Sequence, residues 1–144
     1  MESHCIPIPK VYKYEECEDN FPVFIKPTTG SSSAGAKKIS DLTELEYITK
    51  NNTEKFIIQE FLDWKEITVD CYVSKSKNLI GCVPRFRLKV KDGKSVVSQT
   101  FTSDMITKAC KEILTLLDYQ GVCNLQFFIN QDKYKLIEIN PRFA

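Results

Sequence analysis

The residues best suited to do chemistry lie near the C-terminal end of the chain: Glu138, Asn140 and Arg142, in the run IEINPRF, and Asn124 and Gln126, in the run CNLQF. In an extended segment alternate side chains share a face, so Glu138 and Asn140 line up opposite Ile137 and Ile139, with Arg142 following on the same parity after Pro141. If the two runs form a hairpin with a five-residue loop, Gln126 falls opposite Glu138 and Asn124 opposite Asn140, about 5 Å apart across the strands. Hard Mg²⁺ takes oxygen ligands and needs only one or two protein carboxylates when nucleotide phosphates and water complete its shell. Gln126, Glu138 and Asn140 meet that demand. An arginine beside such an ion can stabilise charge on a phosphoryl group in transfer, where positioning and electrostatics supply nearly all of the rate. The alternative is a solvated polar face on an edge hairpin.

Other candidates are spread over the first two thirds of the chain. Gly30 to Gly35 (GSSSAG) is a small-residue loop after a strand, and successive exposed N–H groups in such a loop can hold phosphate oxygens. A Ser-rich hairpin tip would look the same. It is not a Walker A loop, because Ala36 follows and Lys37 comes one place late. Lys26 is either a solvent-facing strand end or a cation reaching the same phosphates. Glu60 closes an apolar strand and Glu66 opens the next; the connector between them can bind a purine edge through its backbone while the carboxylates accept from amino and hydroxyl groups, although surface charge explains either glutamate equally well. Arg85 and Arg87 share a strand face and suit a small anion or, equally, a charged sheet edge that resists aggregation.

The elements that must carry these residues follow from periodicity and punctuation. Strands are expected at Phe21–Lys26, Ala36–Ile39, Phe56–Glu60, Glu66–Ser74, Leu79–Val83, Ser95–Thr102, Val122–Ile129 and Tyr134–Asn140. In Glu66–Ser74 the apolar Ile67, Val69, Cys71 and Val73 alternate with Glu66, Thr68, Asp70 and Tyr72, which leaves one face for water or ligand. A charged stretch opening at Pro84 and turning at Asp92-Gly93 separates the fifth and sixth strands. A helix begins after Asp41, with Glu44 three residues on, and ends at Asn51 and Asn52. A second helix spans 104–118, its Ile106, Ala109, Cys110, Ile113, Leu114 and Leu117 spaced to pack on a sheet. The sum is an α+β layout with most strands antiparallel.

Composition sets the outer bounds. A chain of 144 residues fits one domain, and its 42% hydrophobic content can build a core without staples. With 20 Lys+Arg against 19 Asp+Glu the net charge is +1, which disfavours nucleic acid as a partner. No apolar run reaches the roughly 20 residues of a membrane span, and the start is unlike a signal peptide, so a cytoplasmic protein is expected. The six cysteines include no CxxC pair and read as reduced, small hydrophobes. His4 is the only histidine, which argues against His-clustered zinc and Cys-His or Ser-His-Asp schemes.

These pieces, in this order, resemble the ATP-grasp superfamily, and specifically the ATP-binding modules of the carbamoyl-phosphate synthase large subunit and related carboxylate ligases. The likeness is carried by FPVFIKPTTGSSSAGAKKI (21–39), IIQEFLDWKEITVDCYV (57–73), VPRFRL (83–88) and GVCNLQFFINQDKYKLIEINPRF (121–143). It implies an α+β ATP-grasp fold of two subdomains, a small lid over about 10–60 and a larger subdomain with the metal site over 61–144, with nucleotide in the cleft between antiparallel sheets. By the same resemblance Lys26, Gly30, Ser31, Ser32, Ser33 and Gly35 contact ATP phosphates, Glu60 with Phe61 and Leu62 holds adenine, and Glu66 takes the ribose. Gln126, Glu138 and Asn140 look like ligands of Mg²⁺, or of Mn²⁺ in its place; Arg142 acts on the phosphoryl group; Arg85, Arg87 and Asn124 face the substrate. The implied reaction phosphorylates a carboxylate or bicarbonate with ATP and passes the acyl phosphate to an amine or ammonia. A homo-oligomer or a glutaminase partner would be in keeping with the family. The family's N-terminal Rossmann-like domain has no counterpart before Met1 and the chain stops just after the metal motif, so the expectation is an ATP-grasp part alone, a nucleotide-binding fragment of such a ligase. The alternative is a non-catalytic nucleotide-binding or interaction module.

Overall fold

A computed structural model of the chain describes residues 6–29, 35–52, 55–91 and 94–143. The chain divides into two compact units, Pro9–Asp63 and a second from Trp64 onward that also takes in the segment ending at Ile8.

The first unit is a four-stranded antiparallel sheet in the order β1-β4-β2-β3, built from β1 (Val11–Tyr12), β2 (Val23–Pro27), β3 (Lys37–Ile39) and β4 (Phe56–Glu60), with the helix α1 (Leu42–Asn51). Strand parity sends Val23 and Ile25 inward, where they meet Ile39, Ile58, Leu45 and Ile48. Asp41 caps α1 by accepting from the Glu44 N–H (2.9 Å), and the Glu44 carboxylate accepts in turn from the Ser40 N–H (3.0 Å). The two-residue β1 and the two short 3₁₀ turns after it, Tyr14–Glu16 and Glu18–Asn20, have no counterpart in the sequence reading, because they are too short to show a period.

The second unit is a five-stranded antiparallel sheet, order β7-β6-β5-β8-β9, made of β5 (Lys65–Val73), β6 (Leu79–Lys91), β7 (Lys94–Thr100), β8 (Gly121–Asn130) and β9 (Lys133–Asn140). Its helix, α2 (Asp104–Leu116), starts at Ser103, whose hydroxyl accepts from the Ile106 N–H (3.3 Å). Ile106, Cys110, Ile113 and Leu114 of α2 pack on Ile67, Val69, Cys71 and Val73 of β5 and on Cys123, Leu125 and Phe127 of β8. One face of the sheet is therefore sealed. Ile6 packs on this core, and the Leu136 N–H donates to Pro7 O (2.8 Å).

Several expectations need correction. The charged stretch after Pro84 is no break: β6 continues through it to Lys91, and Pro84, opposite Val69, is accommodated within the strand. The Asp92-Gly93 turn lies outside the described residues. Helix α2 stops at Leu116, two residues early, and Asp118 takes a left-handed φ of 47°. The last hairpin has a two-residue turn, Gln131-Asp132, and not a five-residue loop.

Phe127 is wholly buried, so Phe127→Ala should destabilise the chain by about 3–5 kcal/mol, measured by urea denaturation. The Glu44 carboxyl is held below its ordinary value first by the Ser40 N–H and then by Lys37. A depressed folded pKa adds stability that is present above the unfolded value and lost as pH falls through the folded one. The stability difference between wild type and Glu44→Gln should accordingly shrink as urea midpoints are followed from neutral pH down through the carboxylate range.

Candidate functional site

The face of the five-stranded sheet turned away from α2 collects polar groups from every strand. Register fixes three rows across it. One runs Thr100, Arg85, Thr68, Gln126, Glu138 from β7 to β9. On one side of it lie Asp70, Asn124 and Asn140; on the other, Ser98, Arg87, Glu66, Phe128 and Lys135. Glu66, Arg85, Arg87, Asn124, Gln126, Glu138 and Asn140, scattered over 75 positions of sequence, thus share one surface.

The expected pairs Gln126 with Glu138 and Asn124 with Asn140 are present, but by a different route. From the tight turn up to Phe127, which opposes Leu136, the ladder is regular; beyond it β9 carries one extra residue, and Gln126 meets Glu138. Ile137 is that bulge residue. Leu136 and Ile139 join the core and Ile137 does not, in contrast to the simple alternation expected of this strand. An unbulged ladder would have set Gln126 against Ile137 and turned Glu138 toward the core, since a one-residue slip flips every side chain.

The middle of the face is held by a connected set of polar contacts. Arg85 Nη2 donates to Asp70 Oδ2 (2.5 Å) and Nη1 to Ser98 Oγ (3.4 Å). Asn124 Nδ2 donates to Asp70 Oδ1 (2.8 Å), and the Thr68 hydroxyl donates to Asn124 Oδ1 (2.9 Å). Arg87 pairs with Glu66 of the neighbouring β5. Arg85 and Arg87 therefore have carboxylate partners and sit inside the sheet, on a strand flanked by β7 and β5, not on a charged edge. Asn124 is 1% exposed and its amide is taken up by Thr68 and Asp70, so it sets the surface beneath Asn140. Thr68 and Asp70 complete this network beyond the candidate residues, and the alternation of Glu66, Thr68 and Asp70 along β5 is their signal in the sequence. Among the described residues, the Arg85 Nε is a buried side-chain donor that has no hydrogen-bond partner.

Glu138 is exposed, while Gln126 and Asn140 are half-buried. One carboxylate and two amides facing one another across β8 and β9 are oxygen donors of the kind a small divalent cation accepts. Arg142 does not extend β9. The strand ends at Asn140, the Arg142 N–H turns back to Asn140 O (2.8 Å), and its exposed guanidinium donates to Phe143 O (2.9 Å).

In the first unit, Lys26 lies on β2 opposite Ile57, half-exposed, on the strand face opposite Val23 and Ile25. Gly30, Ser31, Ser32 and Ser33 lie outside the described residues. Gly35 has φ +77°, and a Cβ there would come within 3.0 Å of Pro27 Cγ, so its glycine is dictated by backbone conformation and close approach together. Glu60 Oε1 accepts from the Lys10 N–H (2.6 Å), and the Glu60 N–H donates to Lys10 O (2.9 Å). Phe61 lies under Lys38 Nζ at 4.4 Å, and Leu62 is half-buried in the connector.

The Asp70–Arg85 pair can be weighed directly. In a double-mutant cycle of Asp70→Ala and Arg85→Ala, the coupling energy from urea denaturation should be about 1.5–3 kcal/mol, the range for hydrogen bonds to charged groups.

A family model described as ATP-grasp in the biosynthetic pathway with Ter operon matches residues 52–144. The carbamoyl phosphate synthase large chain of Methanocorpusculum labreanum is 30% identical over 161 residues, covering 96% of this chain and 15% of that protein. Among solved structures, the biotin carboxylase domain of Hydrogenobacter thermophilus 2-oxoglutarate carboxylase, in complex with MgADP, ADP and bicarbonate, is similar with a TM-score of 0.77 at 15% identity, covering 96% of this chain and 37% of that one. D-alanine–D-alanine ligase from Bacillus anthracis gives 0.70 at 17% identity, covering 95% and 52%. This chain spans a small part of the curated relatives it matches, 15% and 13% of the first two. Two antiparallel sheets with few helices, the structural neighbours and the family match agree: the chain has the α+β ATP-grasp fold and belongs to the ATP-grasp family.

Proposed function

We propose that the chain is the nucleotide-binding module of an ATP- and Mg²⁺-dependent ligase of the carbamoyl-phosphate synthase type, with Pro9–Asp63 in the role of the lid subdomain. The observation that carries this reading is the meeting of Gln126 with Glu138, and of Asn124 with Asn140, on the helix-free face of the sheet. Gln126, Glu138 and Asn140 are the ligands of Mg²⁺, with Mn²⁺ able to replace it, and the ion supplies charge neutralisation for the nucleotide phosphates. Lys26 and the loop Gly30–Gly35, with Ser31, Ser32 and Ser33, hold phosphate oxygens. Glu60, Phe61 and Leu62 hold adenine, the carboxylate of Glu60 acting through the Lys10 backbone that it already fixes. Glu66 takes the ribose hydroxyls while its pairing with Arg87 sets its direction.

In the reaction, a carboxylate or bicarbonate oxygen attacks the γ-phosphorus and ADP leaves; an amine or ammonia nitrogen then attacks the acyl carbon and phosphate leaves. Arg142 swings from Phe143 O to the phosphoryl group in transfer. Arg85 and Arg87, locked by Asp70 and Glu66, present a fixed guanidinium face to the anionic substrate, with Asn124 beneath. Names of relatives support the class: one is a carbamoyl phosphate synthase, another a biotin carboxylase domain solved with bicarbonate. Either a second copy of the chain or a glutaminase partner fits such a module. Among the described residues no helix is long and apolar enough to cross a membrane. A second reading, a nucleotide-binding module without turnover, is favoured by the neutralised state of Arg85 and Arg87.

Calorimetry of the chain with ATP, with and without Mg²⁺, tests the proposal. Binding should require Mg²⁺, and Glu138→Ala should weaken the Mg²⁺-supported binding about tenfold or more, equivalent to ~1.4 kcal/mol, while leaving the fold intact by circular dichroism. Binding indifferent to both the ion and the substitution overturns it. ADP release stimulated by bicarbonate or another small carboxylate separates the ligase from the silent module.

A further inference from the structure

On the helix side of the same sheet, four cysteines that look unrelated in sequence come together. Cys82, Cys71 and Cys123 stand directly opposite one another across β6, β5 and β8. Cys110 descends from α2, and all are free thiols. The sulfurs of Cys71, Cys82 and Cys110 all lie within 4.8 Å of one another. Two of the three are sealed in the core, Cys71 at 1% exposure and Cys110 at 0%, while Cys82 is half-buried and offers the way in. Thiolates around a tetrahedral zinc at about 2.3 Å stand roughly 3.8 Å apart, so small side-chain rotations would close the group on an ion. Each cysteine alone would be an ordinary small hydrophobe. Three sulfurs drawn from three separate elements to one point form a ligand set.

The donor set specifies the ion. Sulfur-only ligation selects soft closed-shell cations and discriminates against Mg²⁺, Ca²⁺ and Mn²⁺, which take oxygen ligands. We propose that Cys71, Cys82 and Cys110 bind one thiophilic cation of the Zn²⁺ and Cu⁺ class between α2 and the sheet. Each sulfur that becomes a ligand gives its proton to solvent. The two ions differ in the number of sulfurs they draw: Cu⁺ is satisfied by three, whereas Zn²⁺ prefers four and would recruit Cys123, the neighbour of Cys71 across β8. Bound there, the ion ties the helix to β5 and β6, and to β8 as well where Cys123 is recruited. This site is separate from the nucleotide face and does not depend on its assignment.

The test uses the reduced full chain, stripped of metal, loaded separately with Zn²⁺ and with Cu⁺ under reductant, and dialysed against a chelator. One ion per chain should be retained, with a sulfur-only shell by X-ray absorption, and it should be lost in Cys82→Ser and in Cys110→Ala. Retention of Cu⁺ but not of Zn²⁺ in Cys123→Ala assigns the three-sulfur site to Cu⁺; retention of Zn²⁺ by wild type with four sulfur neighbours and its loss in Cys123→Ala assigns the zinc form. Should these variants fail to fold, alkylation of wild type decides: a loaded ion must slow the modification of Cys82. Loss of both ions to the chelator, equal retention by Cys82→Ser, alkylation unchanged by the ion, or conversion of the thiols to a disulfide in its place would each overturn the proposal.

Discussion

The helix α2 covers only one side of the five-stranded sheet, and strand parity converts that burial into chemistry. Once Ile67, Val69, Leu125 and Phe127 are committed to the core under α2, the residues between them have no choice of direction. Glu66, Thr68 and Asp70 on β5 and Asn124 and Gln126 on β8 must emerge on the other side. The antiparallel register then decides which of them meet, and the meeting is as firmly set as the core itself, because any slip by one residue would bury the carboxylates and expose the isoleucines. The bulge at Ile137 belongs to this constraint. It lets β9 bring Leu136 and Ile139 inward while Glu138 and Asn140 stay outward, which strict alternation through five consecutive residues would forbid.

The same face shows how charge is placed on a sheet by pairing it, at the cost of one buried donor, Arg85 Nε, left without a partner among the described residues. Arg85 and Arg87 enter a flanked strand, where an unpaired guanidinium would be poorly solvated, and each finds a carboxylate one strand away. Asp70 is the hinge of the arrangement, accepting from Arg85 on one side and from Asn124 on the other. Asn124 in turn is fixed by Thr68, so the amide that underlies Asn140 is oriented by contacts reaching back to β6. A ligand at Asn140 would meet a surface whose polar groups are already aligned, which lowers the reorganisation that binding demands.

Much of this was legible in the sequence, for reasons that can be stated. The polar residues of β5 and β9 alternate with large apolar ones, and two-residue periods survive in almost any context. Helix α1 announced itself through Asp41 and Glu44, whose capping contacts are local. What could not be read was set by partners distant in sequence. Pro84 marks a break by local rules, yet β5 and β7 on either side carry β6 through it. A bulge and a longer hairpin loop give the same facing pairs, and only the ladder tells them apart. The pairing of Glu66 with Arg87 and of Asp70 with Arg85 depends on the β5–β6 register, for which the sequence holds no short-range signal. The thiol group at Cys71, Cys82 and Cys110 was hidden for the same reason: no two of its members are close in sequence.

The sheet also keeps two kinds of donor apart. Asp70 and Cys71 are consecutive on β5, and Cys123 and Asn124 are consecutive on β8, so each strand offers oxygen to one face and sulfur to the other. Hard and soft cations differ in the donors they take, and the pleat holds the oxygen and sulfur groups on opposite faces, with neither group able to reach across the backbone. Both faces meet in β5, the central strand to which β6 and β8 are bonded, so its alternation decides which donors appear on each side.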